Sequence, residues 1–263
     1  MRRQGHHIAA VLNVLLSMAG ILLLWFTLTV WTGAVSPARF PTPYEFIASL
    51  KQIAIQGYGN GRLHQHVMQS VILVTTSFLV ASSVGVLLGM MMGASRRIEA
   101  LVNPVFLTLR PIPPLAWIPL AIILFAGDTR FAFLIFLGAF FPVYTSTLVG
   151  VQRVEPLHRK VVAVYGASKM YTLFHVVIPT VLPDILGGMR VAMGAAWLTI
   201  VAAELAGGTN EGLGRMMLNY AELLKIPEII VGMVTIGAIG FVINEALLLC
   251  ERILFRWRWQ VSL

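Results

Sequence analysis

The chain has 263 residues, 58% of them hydrophobic and 11% charged, with a formal net charge of +8 at pH 7. Soluble domains average about 45–50% apolar and about 25% charged residues, so this composition excludes a water-soluble globular protein. The lone cysteine, Cys250, excludes an intramolecular disulfide.

Six apolar runs approach or exceed the ~20 residues that cross a bilayer as a helix. They are Ile8–Trp31, Val71–Gly93, Leu101–Ala126, Phe131–Val151, Ile185–Ala206 and Ile229–Cys250. They predict an all-α membrane protein of six transmembrane helices, one transmembrane domain over residues 1–263 with no room for a soluble catalytic domain. The first run is too long for the apolar region of a cleaved signal peptide and reads as a retained helix. Arg39-Phe40-Pro41-Thr42-Pro43 breaks the chain after it. Phe46, Ile47, Leu50, Ile53 and Ala54 then form a helical stripe over Tyr44–Ile55, a segment too polar to span and suited to the outer surface. Gly57–Gly61 reads as a flexible joint. In the second run, Ala81, Gly85, Gly89 and Gly93 recur every four residues, which predicts a groove where another backbone packs closely. Arg96 and Arg97 are expected to cap the end of that helix.

The third run carries Pro104, Pro111, Pro113, Pro114 and Pro119, which cannot all sit in a straight helix. Broken backbone at membrane depth is tolerated only where protein or a water-filled cavity covers it. Two readings stay open: a segment lining a transport path, or a kinked entry segment with Arg110 snorkelling to headgroups. Gly127-Asp128-Thr129-Arg130 predicts a tight outer turn. The fifth run is expected to enter after Asp184 and leave near Gly207-Gly208. Thr209–Lys225 reads as an outer segment suited to docking a soluble partner, although an ordinary loop has the same composition. Arg252, Arg256, Trp257, Arg258 and Trp259 form an interfacial anchor after the sixth run.

With six spans and the N-terminus inside, twelve of the 19 Lys and Arg residues fall on the cytoplasmic side and six outside, Arg110 being unassigned. This positive-inside bias puts both termini in the cytoplasm and explains the net charge by topology rather than by nucleic-acid binding.

Lys160–Arg190 is the most informative stretch. Pro156–Tyr165 reads as a short helix opened by a proline. Gly166 fits its stop, since glycine takes the left-handed conformation at no steric cost. Ser168 fits the N-cap of a second short helix, with Met170, Phe174 and Val177 on one face. Pro179 is expected to end that helix, and Pro183 to confirm the break. An apolar face outside the bilayer needs a protein partner.

These residues resemble the cytoplasmic loop of the permease subunits of bacterial ABC importers, with its Glu-Ala-Ala, then Gly, then Ile-x-Leu-Pro pattern. Gly166, Ala167, Ser168, Ile178, Pro179, Leu182 and Pro183 match it. The chain departs at Lys160-Val161-Val162, where the family has Glu-Ala-Ala. A lysine cannot replace a glutamate that meets a basic partner residue, so that contact is missing or the partner has changed to match. Arg110-Pro111-Ile112-Pro113-Pro114-Leu115-Ala116-Trp117-Ile118-Pro119 resembles the third segment of the taurine, aliphatic sulfonate and nitrate branch. Ala202-Ala203-Glu204-Leu205 with Gly212-Leu213-Gly214 resembles its fifth segment and following loop. The resemblance runs over residues 10–255.

The resemblance implies the type I ABC importer permease fold in a bacterial inner membrane, working as a homodimer. It implies two ATP-binding subunits docked on a coupling loop at about residues 153–184, through Gly166, Ala167, Ser168, Lys169, Ile178, Pro179 and Pro183. It also implies a periplasmic or lipid-anchored substrate-binding protein. ATP and Mg would be held by the partner, with no cofactor in this chain. The implied substrate is taurine or another sulfonate, with nitrate or a small heterocycle as alternatives.

The sequence has no Walker-type G-x-x-x-x-G-K-[ST], no G-x-G-x-x-G, no H-E-x-x-H and no G-x-S-x-G. Its six histidines form no metal-ligand set, and His64 and His66 are expected to be solvated. Glu204 and Glu245 lie within spans, where a carboxyl group serves either an interhelical bond or a gate. Arg110, Trp197 and Glu204 are the candidate pathway residues. An ion-coupled carrier would explain Glu204 and the broken third span, but not the helix-Gly-helix loop. An intramembrane enzyme would need a facing nucleophile and base, or metal ligands, and no such set is apparent.

Overall fold

The computed structural model describes residues 2–33, 36, 40–57, 61–155, 157, 161, 162, 164–206 and 211–254. Helix α1, Arg2–Phe26, runs on through a π-helical turn, Thr27–Trp31. It is followed by α2 (Pro43–Ile55), α3 (Leu63–Ala94) and α4 (Arg96–Leu109). A 3-10 turn, Pro114–Trp117, leads into α5 (Ile118–Leu124), and α6 covers Thr129–Arg153. The short α7, Lys169–Thr172, passes through a second π-helical turn, Leu173–Val177, into α8 (Ile178–Leu205). The last helices are α9 (Leu213–Glu222) and α10 (Ile226–Leu254).

Among the described residues, four helical stretches are long and apolar enough to cross a membrane: α3, α6, Met170–Leu205 and α10. The α4 and Pro114–Leu124 pair, bent by 84°, makes a fifth if counted as one broken span, and Leu16–Trp31 is a shorter apolar stretch. The bend bears out the expectation from the third run's prolines. Pro104 is carried inside α4, while Pro111 and Pro113 fall in the break.

The chain divides into two compact units, Met1–His64 with Met216–Thr235, and Gln65–Arg215 with Ile236–Leu263. In the first, α2 opens with a capping box. The Thr42 hydroxyl accepts from the Glu45 N–H, and the Glu45 carboxylate accepts from the Thr42 N–H at 2.7 Å. The Trp25 indole donates to the Pro41 carbonyl and meets Phe40 and Phe46 edge-on, which holds the start of α2 against the end of α1. The expected stripe of α2 buries Ile53, with Ser49 beside it, while Ile47 stays exposed.

In the second unit the small-residue groove is real. A Cβ on Gly89 would lie 2.7 Å from that of Thr147, and one on Gly93 2.5 Å from that of Val151, so α3 and α6 touch backbone to side chain. The α6–α8 contact uses the same device: a Cβ on Gly188 would meet Ser146 at 2.5 Å, and one on Gly150 would meet Val181 at 2.8 Å. Without a hydrophobic drive between helices in lipid, such close approach supplies the van der Waals contact that holds them. Phe106 of α4 packs edge-on against Phe140, Phe141 and Tyr144 of α6, and the Tyr144 hydroxyl donates to Asn103.

Four expectations are corrected. Pro179 and Pro183 do not break the chain: Pro179 sits in the first turn of α8, and Pro183 lies inside it. The wide π turn just before Pro179 makes room where its ring would press on the preceding turn. The fifth span therefore starts well before Ile185. Arg96 and Arg97 open α4 rather than close α3. Leu213–Glu222 is a helix with Leu213, Met216 and Tyr220 buried, not a loop. Arg39, Tyr58–Asn60, Pro156, His158–Lys160, Gly207–Asn210 and the Arg256–Trp259 anchor lie outside the described residues.

Candidate functional site

Four places carry the residues singled out from the sequence, and the three candidate pathway residues do not come together. Arg110 ends α4 and lines a cavity of about 560 Å³. The opposite walls come from α6 (Leu137–Ser146) and α8 (Val191–Thr199), with Ile112–Leu115 of the bend closing one side. Phe141, on the wall, is the thirteenth of the 25 residues of α6, so the cavity sits halfway along the span. Twelve residues of helix on either side correspond to roughly 18 Å, and Arg110 is exposed at the end of α4 beside this cavity. Arg110 is the one ionisable residue among the described residues lining the cavity.

The other polar groups there are hydroxyls of Thr145, Ser146 and Thr199. Thr199 bonds back to the carbonyl of Ala195 four residues earlier, at 2.8 Å, as Thr147 does to Val143. The Thr145 hydroxyl is buried with no hydrogen-bond partner among the described residues. Pro142, on the same wall, has no N–H to give the Gly138 carbonyl, which leaves the helix ladder short of a donor beside the cavity.

Trp197 is buried elsewhere. Its indole donates to the Ile236 carbonyl of α10 at 3.3 Å, and it flanks a small cavity of about 60 Å³ with Gly240 and Asn244.

Glu204 is 1% exposed and lines none of these cavities. One carboxyl oxygen accepts from the Ser70 hydroxyl at 2.7 Å, the other from the Gly214 N–H at 2.8 Å. Ser70 in turn accepts from the Leu213 N–H at 3.0 Å, and His66 Nδ1 accepts from the Gly212 N–H at 3.1 Å. Three successive backbone donors at the start of α9 are thus taken up by side chains of α3 and α8. A carboxyl group is well suited to that position, since the first N–H groups of a helix lack intrahelical partners and carry its positive dipole end. Gly212 and Gly214 are needed for closeness: a Cβ on either would lie 2.5 Å from Glu204 or the Val201 carbonyl. His66, expected to be solvated, is 2% exposed and part of this joint, whereas His64 is exposed. Glu245 is exposed on α10.

The fourth place is the loop after α6. Leu157, Val161, Val162 and Val164 are helical, and Gly166 turns the chain at φ +74°. The Ala167 N–H reaches back to the Val162 carbonyl at 3.3 Å, a C-cap bond of the kind a left-handed glycine allows. Ser168 caps α7, its hydroxyl accepting from the Tyr171 N–H at 3.1 Å. The side chain of Lys169, the first residue of α7, lies outside the described residues. Val164 and Tyr165 are 84% and 86% exposed, and Met170 and Phe174 are exposed too. At the base of the loop Val151 and Val154 pack on Val177, Val181 and Ile185, which ties its exit to its entry. Met170–Leu205 has 36 residues, roughly 54 Å of helix against a ~30 Å hydrocarbon core. Ile178, Pro179 and Pro183 accordingly belong to a rod that outruns the bilayer.

Sequence reasoning missed Thr145, Ser146 and Thr199, and His66 and Ser70. The last two stand four apart on α3, a spacing that puts them on one helix face.

Residues 85–259 match the model of the binding-protein-dependent transport system inner membrane component family. The chain is 34% identical to the taurine transport system permease protein TauC of Escherichia coli (strain K12), over 94% of this chain and 90% of that protein. It is 30% identical to the nitrate import permease protein NrtB of Synechocystis sp., over 92% and 88%. It is 29% identical to the bicarbonate transport system permease protein CmpB of Synechococcus elongatus, over 93% and 90%. The chain belongs to the binding-protein-dependent transport system inner membrane component family, as an ABC importer permease of the taurine, aliphatic sulfonate and nitrate branch.

Proposed function

We propose that this permease forms the membrane path of an ATP-driven importer for a small anion, taurine or another sulfonate in the first place. Two copies complete the path, each with six spans and both termini in the cytoplasm of a bacterium whose inner membrane holds the complex. Two ATP-binding subunits dock on residues 153–184, and ATP and Mg bind there, not on this chain. A periplasmic or lipid-anchored binding protein delivers the substrate from outside. Closure of the ATPase pair pushes on the Gly166 joint, and the rod Met170–Leu205 carries that motion into the bundle.

The observation that carries this reading is the loop itself. A capped helix–Gly–helix joint presents Val164, Tyr165, Met170 and Phe174 to a partner, on a rod too long to lie wholly in lipid. Exposed apolar surface of that kind is stable only when covered. The anionic substrate class is supported by the relatives named for taurine, nitrate and bicarbonate.

Co-purification tests it. The chain expressed in its own membrane should bring down a companion ATPase, and transport by the chain alone would point instead to an ion-coupled carrier. Nothing lies within 4 Å of a Cβ on Gly166, so the constraint there is conformational. Gly166→Val must hold a β-branched residue left-handed, at about 1–2 kcal/mol, or straighten the joint. The variant should still insert, yet lose the ATPase. Normal docking and transport by Gly166→Val would falsify the joint's coupling role. The ligand that co-purifies with the cognate binding protein distinguishes a sulfonate from nitrate or a small heterocycle.

A further inference from the structure

We infer that the cavity at the bend of the broken span is an oxyanion site, with the Arg110 guanidinium as counter-ion and the Thr145 hydroxyl as a donor. The argument begins from what the cavity lacks. A cation at the break of a span, beside a cavity at the middle of α6, needs a counter-charge or water, and among the described lining residues none is acidic. No carboxylate among the described lining residues competes for the guanidinium, which presents several N–H donors in one plane and matches an oxygen-bearing anion two bonds at a time.

The hydroxyls sharpen the assignment. Thr199, on the facing helix, satisfies itself within its own turn. Thr145 does not, and its buried oxygen has no partner among the described residues. A buried hydroxyl left without a partner is costly, and a turn about its χ1 toward the cavity would let a ligand complete it. Arg110 and Thr145 border the same 560 Å³ space, which has room for a sulfonate or nitrate with part of its hydration. Apart from Ser146, the remaining lining is proline, glycine and apolar side chains, which lowers the local dielectric and strengthens the charge contact. Glu204 and Trp197 have no part in this site. Its role as a station on a transport path rests on the permease reading; the anion binding itself does not.

The test is protection of Arg110 from phenylglyoxal in the purified full-length chain in lipid nanodiscs, read by mass spectrometry of the peptide that carries it. Methanesulfonate and nitrate are the probes. Dimethyl sulfone, which is uncharged but similarly shaped, and chloride at matched ionic strength are the controls. Methanesulfonate should slow modification of Arg110 at concentrations at least about tenfold below those of either control, the margin expected for charge-assisted hydrogen bonds. Thr145→Val keeps the shape and should raise the protecting concentration about fivefold, as for one lost hydrogen bond. Protection by chloride equal to that by methanesulfonate reduces the effect to screening and overturns the site. An unchanged protecting concentration in Thr145→Val overturns the pairing of hydroxyl and guanidinium. Neither outcome depends on whether an ATPase co-purifies, so this inference and the permease reading fail separately.

Discussion

The Arg110 cavity and the Glu204 joint are both built from ionisable and hydroxyl groups within helices of the same membrane unit, yet they are finished differently. At the joint both carboxyl oxygens accept protein donors, and the serine between them both gives and receives. At the cavity the guanidinium has no acidic neighbour among the described lining residues, and the Thr145 hydroxyl is buried in the wall without a partner among them. A polar network with every partner inside the protein rigidifies a fold, whereas one with partners missing marks where something else binds. Each place pairs one ionisable group with hydroxyls, a guanidinium at the cavity and a carboxyl at the joint. Where they differ is in the satisfaction of their hydrogen bonds within the protein.

That contrast is broken most directly by Glu204→Ala. It strips the acceptor from the Ser70 hydroxyl and the Gly214 N–H and leaves a gap at the start of α9. With two buried groups orphaned, the loss should be about 3 kcal/mol, seen as poor recovery of folded protein and a lower thermal midpoint. A stable, well-expressed Glu204→Ala that merely fails to transport would return Glu204 to the pathway. Ser70→Ala comes next, at about 2 kcal/mol, because it removes both the acceptor for the Leu213 N–H and the donor to Glu204.

Glu204→Gln is milder and more diagnostic. Its amide oxygen still accepts from Gly214, while its amide NH₂ must face Ser70, whose hydroxyl can turn to accept. The cost should be about 1 kcal/mol, with uptake near that of the parent in assembled complexes. Uptake abolished in a fully assembled Glu204→Gln complex would mean that charge, not connectivity, is what the position supplies.

Some of this was legible in the sequence and some was not, for physical reasons. The α3 groove follows from a spacing of four among Ala81, Gly85, Gly89 and Gly93, and the Gly166 joint and Ser168 cap follow from local backbone chemistry. The broken third span follows from where prolines cannot go. Pro179 misled because a proline's effect depends on the turn before it, and a π-helical turn relieves the clash that would have ended the helix. The Glu204 joint stayed hidden because its partners are distant in the chain, Ser70 by 134 positions. Thr145 stayed hidden for the same reason in reverse: nothing in a helical pattern tells a threonine bonded within its own turn from one that is not.

The smallest expected effect makes the sharpest comparison. Thr145→Val is nearly isosteric and removes a buried hydroxyl that has no partner to lose among the described residues. Deleting an unsatisfied polar group from an apolar wall should leave stability unchanged or raise it by up to about 0.5 kcal/mol. Ser70→Ala deletes the same chemical group on α3, where it is bonded on both sides, and should cost about 2 kcal/mol. Thermal unfolding of the two variants side by side reads the difference in sign. If Thr145→Val destabilises the protein as Ser70→Ala does, its hydroxyl has an internal partner, and the cavity wall is as finished as the joint. If it is neutral while uptake of the delivered anion falls about fivefold, the hydroxyl serves the passenger rather than the fold.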